Sequence, residues 1–185
     1  MPSITYTTSR TRADLLGIIA LQKENLRANL TGKEISNEGF VTVVHTVDDL
    51  ENMNNFEQHV IAREGEKVIA YLLAMTEKSK NDLPVLIPMF ELFEKLMYRG
   101  KFVSDHKYIV VGQVCVDKHY RGTGILDRCY QEFRKIFKEK YDFGITEIAA
   151  VNHRSINAHK RIGFKEISRY KDPAQTEWSI VVWDW

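Results

Sequence analysis

The stretch HYRGTGILDRCY, residues 119 to 130, places an arginine and two glycines directly before an amphipathic segment. Arg121 supplies a positive charge, while Gly122 and Gly124 let the backbone approach a ligand and adopt dihedrals that other residues avoid. If a helix begins near Gly124, its first amides lack partners within the helix and carry about half a positive charge. The pattern suits an anion such as a pyrophosphate. An ordinary turn with Arg121 in solvent would use the same residues.

Two common nucleotide-binding motifs do not fit this stretch. A Walker loop requires G-x-x-x-x-G-K-[ST], and the sequence contains no such string. A dinucleotide fingerprint requires G-x-G-x-x-G, and Asp127 occupies the position of the third glycine. Taken alone, the stretch leaves both the turn and the anion site open.

A second group of polar residues lies in VNHRSINAHKRIGF, residues 151 to 164. Asn152 follows a predicted strand and can cap the next helix. Ser155 and His159 share one face of that helix with apolar neighbours, because residues four apart are adjacent on a helix surface. His159 is therefore predicted to point inward, either as a hydrogen-bonded histidine of the core or as a catalytic group.

Together the two segments resemble the GNAT superfamily of N-acetyltransferases. The family's acetyl-CoA motif, [Q/R]-x-x-G-x-[G/A], corresponds to residues 121 to 126. The later pattern N-x-x-A-x-x-x-Y-x-x-x-G-F corresponds to Asn152, Ser155, His159, Gly163 and Phe164. The resemblance is specific over residues 107 to 165 and loose elsewhere. Two positions depart from it: Leu126 stands where a small residue is usual, and His159 where a tyrosine is usual.

The resemblance implies direct transfer of an acetyl group from acetyl-CoA, as co-substrate and without a metal, to an amine. The backbone of residues 114 to 116 would pair with the pantetheine arm like an added strand. The amides of residues 122 to 127 would bind the pyrophosphate, and Asn152 would hydrogen-bond the arm. The implied cofactor-binding residues are Val114, Cys115, Val116, Arg121, Gly122, Thr123, Gly124, Ile125, Leu126, Asp127, Asn152, Ser155 and His159.

Attack on a thioester requires a neutral amine, and an amine of pKa near 10.4 is neutral in only about one molecule in 10³ at pH 7. The candidate base is Glu77, after a predicted strand, although a solvated strand end is the alternative for it. Gln113 is the candidate for positioning a water. His159 is the candidate general acid for the leaving thiolate. Cys115 is interpreted as a small core residue, since the family needs no nucleophile.

Hydrophobic periodicity predicts the elements that position these residues. A capped helix begins at Thr11, and a hairpin turns at Gly65. Residues 30–55 are ambiguous: residues 41–47 could form a strand, and residues 48–56 resemble a short helix. The predicted strands are 4–7, 59–64, 67–75, 108–116, 146–151, 164–170 and 177–185, and the later predicted helices are 86–97, 126–141 and 155–162.

The strand–helix–strand run from residue 108 to 151 predicts a parallel pair with a right-handed crossover. The expected fold is α+β: a mixed, mostly antiparallel twisted sheet with helices on both faces. In the family the parallel pair splays around the cofactor. One domain spans residues 1–185, with a cofactor-binding core over about 107–165.

The segment from about 78 to 106 is longer than the sheet needs and is expected near the acceptor side. Leu86, Phe90, Phe93 and Met97 fall at helical spacing and form a very apolar face. This face would cover the acceptor, or it would be buried in the core or in a homodimer. The acceptor itself would be the amine of a small molecule, an amino acid or a peptide. A protein acetyltransferase and a non-catalytic acyl-CoA-binding protein are the alternatives.

Composition narrows the class of protein. The 185-residue chain has a formal net charge of +1, which offers no electrostatic basis for binding nucleic acid or an anionic membrane. No apolar run approaches the length of a membrane span, and the first residues lack the apolar core of a signal peptide. Cys115 and Cys129 have no metal-ligand spacing and are expected as reduced thiols of a cytoplasmic protein.

Overall fold

The structure, a computed structural model, describes residues 3–26, 40–81 and 84–185. The helices in this part of the chain are α1 (Arg12–Asn25), α2 (Val47–Phe56), α3 (Ile87–Phe93), α4 (Ile125–Phe137) and α5 (His153–Ile162). The strands are β1 (Ile4–Thr8), β2 (Val60–Glu64), β3 (Lys67–Met75), β4 (Met97–Tyr98), β5 (Lys101–Phe102), β6 (Tyr108–Val116), β7 (Phe143–Ala149), β8 (Lys165–Lys171) and β9 (Glu177–Asp184).

Seven strands form one sheet in the order β1-β2-β3-β6-β7-β9-β8, and β4 and β5 form a separate hairpin. The β6–β7 pair is parallel and every other neighbouring pair of the sheet is antiparallel. Helix α1 packs on one face of the sheet and α4 on the other, so the residues of β3 from Ala70 onward alternate between two apolar clusters. The predicted α+β fold with one parallel pair is confirmed.

Strands β6 and β7 separate after a short paired region, and we call the opening between them the fork. They pair only over Tyr108–Val110 and Phe143–Ile145. At the next position the buried Thr146 hydroxyl donates to the Val111 carbonyl at 2.7 Å, in place of a backbone bond. Beyond Thr146 each strand follows its other neighbour, β3 or β9, and backbone groups of both strands are left facing a gap.

A β-bulge in β6 begins where the fork opens. Val111 pairs with Ala74 and Val114 pairs with Leu72, so Gly112 and Gln113 together oppose Leu73. An extra residue bends the strand that carries it and increases the local twist. The bulge therefore turns the end of β6 away from β7, which is what a splayed parallel pair requires.

The strand that the sequence allowed over residues 41–47 does not form. Within 40–45, only Val41 makes a bridge, with Leu26, and side chains bind backbone groups of residues 40, 43 and 45. Gln22 bonds the amide and the carbonyl of His45, at 3.0 and 3.1 Å. Asn152 and Gln113 donate to carbonyls of residues 40 and 43, at 3.1 and 2.8 Å. Side chains thus satisfy backbone groups that a neighbouring strand would otherwise pair.

The helix predicted over 86–97 ends at Phe93. Phe90 and Phe93 are fully buried, which agrees with the core alternative for this apolar face, but Met97 belongs to β4 and is 57% exposed. The chain turns through left-handed dihedrals at Arg99 and Gly100, which closes the β4–β5 hairpin and replaces the last predicted helical turn. No residue from 84 to 106 lines either of the two cavities described below, so α3 serves the core.

Other boundaries differ by a few residues. Helix α4 ends at Phe137 rather than at Tyr141, and β7 begins at Phe143 rather than at Thr146. The capping box predicted at the start of α1 is present, with the Thr11 side chain accepting from the Asp14 amide. Across the described residues, every helix is too short or too polar to cross a bilayer.

Candidate active site

A cavity of about 660 Å³ opens beside the end of β6 and the first turns of α4 and α5, and we call it the large cavity. This volume lies in the range of small-molecule sites, about 300–1,000 Å³. Every predicted cofactor-binding residue except Thr123 lines it: Val114, Cys115, Val116, Arg121, Gly122, Gly124, Ile125, Leu126, Asp127, Asn152, Ser155 and His159. Thr123 is exposed, and its hydroxyl donates to the Tyr120 carbonyl at 2.6 Å.

The two glycines of the 120–127 turn have left-handed backbones. Gly122 has φ 78° and Gly124, the N-cap of α4, has φ 83°. A Cβ at either position would meet nothing within 4 Å, so glycine is needed for the dihedrals rather than for space. No side chain caps α4, and its first amides can therefore bind an anion in the large cavity.

Arg121 ties the turn to two elements. Its Nε donates to the Val116 carbonyl at 3.0 Å, and a terminal nitrogen donates to the Asn25 side chain at the end of α1. These bonds fix the turn against β6, so Arg121 is more than a solvated residue of a turn. Its guanidinium also lines the large cavity and adds positive charge there.

The departure from the family at Leu126 has a packing explanation. Leu126 lines the large cavity and also packs, partly buried, against the apolar cluster under α4 that contains Tyr130 and Phe133. The neighbouring Asp127 forms an ion pair with Arg161 of α5, at 2.7 Å, and so joins the two helices that border the cavity.

His159 is 3% exposed and both of its ring nitrogens have partners. Nδ1 lies 2.8 Å from the Ser155 carbonyl, which can only accept, so Nδ1 carries the proton. Nε2 then accepts from the Tyr130 hydroxyl at 2.6 Å. Burial lowers the pKa of His159 to about 4. A neutral ring with its one N–H already bonded has no proton ready for a leaving thiolate, which favours a positioning role over the predicted general acid.

A small cavity of about 80 Å³ adjoins the large one at the fork. The two cavities share Phe40, Val41, Val114, Asn152, Ser155 and His159. The small cavity is also lined by the bulge residues, by Thr146 and Glu147 of β7, and by Trp178 of β9. A group carried along β6 in the large cavity would therefore meet the small cavity at the fork.

Glu147 is the titratable residue at the fork that the sequence interpretation missed. It follows Thr146 on β7 and lines the small cavity. Its Oε2 accepts a hydrogen bond from the Tyr170 hydroxyl at 2.6 Å. Burial, more than any other cause, raises the pKa of Glu147 to about 7. A signal was present in the sequence, because a lone carboxylate interrupts the apolar strand TEIAAV.

The two sequence candidates for amine activation lie elsewhere or are already bonded. Glu77 is exposed on the turn after β3 and lines neither cavity, so the structure does not bring it to the site. Gln113 lines the small cavity, but its oxygen accepts from Tyr71 at 2.6 Å and its nitrogen donates to the Val43 carbonyl. This geometry gives Gln113 a structural task, which is to hold the 40–45 segment.

The cysteines are free and buried. Burial raises the pKa of both Cys115 and Cys129 to about 12, so neither is a thiolate at neutral pH. This agrees with Cys115 as a core residue rather than a nucleophile. Within the described residues, no group of three histidine, cysteine or acidic side chains could hold a metal ion.

The sequence profile of the acetyltransferase (GNAT) family matches residues 32–164, and the chain belongs to this family. This match supports acetyl transfer as the activity. No curated protein sequence matches the chain.

Solved structures show the same fold at low sequence identity. The NatC complex bound to Gag peptide and CoA is 14% identical, with 99% of each chain covered and a TM-score of 0.65. The ribosomal-protein-S18-alanine N-acetyltransferase of Escherichia coli is 12% identical, with 98% of this chain and 94% of that chain covered and a TM-score of 0.63. NAA60 of Arabidopsis thaliana, in complex with a bisubstrate analogue, is 15% identical, with 98% of each covered and a TM-score of 0.65.

Proposed function

We propose that this protein is an N-acetyltransferase that moves an acetyl group from acetyl-CoA directly to a primary amine of a small molecule, an amino acid or a peptide. The observation that carries the proposal is the arrangement at the fork. A cavity suited to a cofactor runs along β6 and meets a small cavity that is lined by a partly buried carboxylate, Glu147.

The large cavity offers groups that suit each part of acetyl-CoA. The free edge of β6 over residues 114–116 would pair with the amides of the pantetheine arm. The uncapped amides of α4 and the Arg121 guanidinium would bind the pyrophosphate. Asn152 already donates to the carbonyl of residue 40 and accepts from the Ser155 amide. It would therefore hold the 40–45 segment and the start of α5 beside the pantetheine arm, in addition to binding the arm.

Glu147 is the proposed base. With a pKa near 7 it is ionised in about half of the molecules at neutral pH and can take a proton from an ammonium group in the small cavity. The nitrogen lone pair then attacks the thioester carbonyl and forms the new C–N bond. As the tetrahedral intermediate collapses, the C–S bond breaks and its electron pair goes to sulfur. The second proton lost from nitrogen neutralises that thiolate, and Glu147 releases the first proton to solvent.

His159 is proposed to shape the site rather than to supply this proton. Its bonds to Tyr130 and to the Ser155 carbonyl fix the wall where the two cavities meet. A free thiol has a pKa near 8.5, so the leaving thiolate is only a moderately strong base and needs less assistance than the amine does.

A protein acceptor is the second candidate. The NatC structure contains a peptide and the NAA60 structure a bisubstrate analogue, although identities of 14% and 15% support only the fold. A non-catalytic acyl-CoA-binding protein remains the alternative from another class.

Turnover with a panel of acceptors tests the proposal. The purified protein is mixed with acetyl-CoA and with simple amines, free amino acids, their amides and short peptides, and CoA release is followed as free thiol. We expect release that depends on an acceptor. Calorimetry with acetyl-CoA is the parallel measurement, and binding without turnover on any acceptor would support the non-catalytic alternative.

A further inference from the structure

The Tyr170 hydroxyl reaches Glu147 across an intervening strand. Tyr170 lies on β8, the edge strand, and Glu147 lies on β7, with β9 between them. In the register of the sheet, Tyr170 pairs with Trp178, which pairs with Ala149, two residues beyond Glu147. The ring thus crosses the sheet surface toward the fork and ends 2.6 Å from Glu147 Oε2.

On the basis of the proposed function, we propose that Tyr170 is a positioning residue for Glu147. Its hydroxyl holds one carboxylate oxygen, which orients the side chain toward the small cavity and leaves the other oxygen to take the proton of the amine. Tyr170 itself touches neither substrate nor cofactor in this role, and it acts through Glu147 alone.

The hydrogen bond from Tyr170 affects the ionisation of Glu147, because other features of the site oppose it. An ionised carboxylate only accepts hydrogen bonds, so a hydroxyl donor favours the form that acts as a base. Burial and the like charge of Asp172 oppose ionisation, and the Tyr170 bond favours it. Asp172 is itself held in place by the Trp178 indole N–H and by the Thr176 amide, both at 2.9 Å. Its repulsion is therefore a fixed feature of the site.

Among the described residues that line the small cavity, the polar groups other than Glu147 are uncharged. From α5, His159 lines the same small cavity, and burial lowers its pKa to about 4, so the ring is neutral at pH 7. From β6, Gln113 lines the cavity and does not titrate. Tyr170 stays a donor across the working pH range, because burial first and then the charge of Glu147 raise its pKa.

The test is the pH dependence of kcat/KM in Tyr170→Phe. Without the donor, the pKa of Glu147 should rise, and the acid limb of the profile should move upward by about one pH unit, as expected for the loss of one charge-assisted bond. We expect activity at pH 6 to fall about tenfold and activity at pH 9 to change less than threefold. Tyr141→Phe is the matched control. The Tyr141 hydroxyl donates to Glu57 over 3.0 Å, and neither residue lines a cavity. The pH profile of this variant should be unchanged.

Two outcomes would overturn the inference. One is an acid limb that stays in place in Tyr170→Phe. The other is an equal loss of activity at every pH in a variant that unfolds like the parent protein, which would indicate a structural or directly catalytic tyrosine. Nuclear magnetic resonance titration of the Glu147 carboxyl carbon separates this test from the proposed function. A pKa that rises in Tyr170→Phe supports the coupling even without turnover, and an unchanged pKa refutes it.

Discussion

At the scale of single residues, the roles proposed for the side chains at the fork cannot be predicted from their neighbours in the sequence. The motif around residues 121–126 could be identified because its chemistry is local: glycines at the start of a helix provide free amides. Glu147 and Tyr170 are 23 residues apart and meet only because β7 and β8 both flank β9. Glu77 was the sequence candidate for the base, and only the fold shows that it lies away from the site.

Glu147→Gln should lower kcat by about 10²- to 10³-fold, because the amide cannot take a proton from the acceptor and general bases contribute on this scale. Acetyl-CoA affinity by calorimetry should change less than threefold, since Glu147 does not line the large cavity. Glu77→Gln is the control and should leave both quantities unchanged. Equal losses in the two variants would exclude Glu147 as the base.

His159→Ala should reduce the free energy of unfolding by about 2–4 kcal/mol, because it opens a cavity and leaves the buried Tyr130 hydroxyl without its acceptor. Denaturant titration measures this loss. The acid limb of the kcat/KM profile should stay in place, because Glu147 sets it. If His159→Ala is as stable as the parent protein but turns over far more slowly, the result would support His159 as the general acid.

At the level of elements, the strands that are buried on both faces were predicted best. Residues 108–116 are apolar almost throughout, and β6 has the predicted bounds because the strand is covered by α1 on one side and α4 on the other. The 40–45 segment stayed ambiguous because its partners are distant in sequence: side chains from α1 and β6 and the Asn152 side chain that caps α5. Periodicity also cannot show that a hairpin replaces the last turn of an apolar helix, as happens after α3.

Gly124→Ala and Gly65→Ala form a matched pair. Both glycines have positive φ, 83° and 58°, and at both a Cβ would meet nothing within 4 Å. Each substitution should cost about 1 kcal/mol of stability from backbone strain. Only Gly124 borders the large cavity, so only Gly124→Ala should weaken acetyl-CoA binding, by tenfold or more in calorimetry. Similar affinities in the two variants would argue against an anion at the start of α4.

At the scale of the whole molecule, burial keeps several ionisable side chains in their uncharged forms. His45, His59 and His159 are buried, and burial lowers the pKa of each from 6.5 to about 4. Their contribution to stability is present above pH 6.5 and is lost as the pH falls toward 4. Glu147 acts in the opposite sense, because its pKa is raised from 4.5 to about 7.

The free energy of unfolding should therefore fall on acidification between pH 6.5 and 4.5. Each group contributes about 1.4 kcal/mol per pH unit, and three histidines against one glutamate leave a net slope of about 3 kcal/mol per unit. Urea titrations at pH 5, 5.5 and 6 measure the slope. His45→Asn should reduce this slope by about 1.4 kcal/mol per pH unit, the contribution of one histidine. A free energy of unfolding that does not change with pH would show that the histidines are not held neutral.

The last strand of the sheet gives the molecule a built-in optical reporter. All three tryptophans of the chain, Trp178, Trp183 and Trp185, lie within its last eight residues. Trp183 stacks on Phe164 in the core, and the Trp185 indole N–H bonds the Tyr141 carbonyl. Trp178 alone of the three borders the small cavity. With phenylalanine at positions 183 and 185, the emission of the protein would follow the arrival of an acceptor at the fork, without a label and before any chemistry takes place.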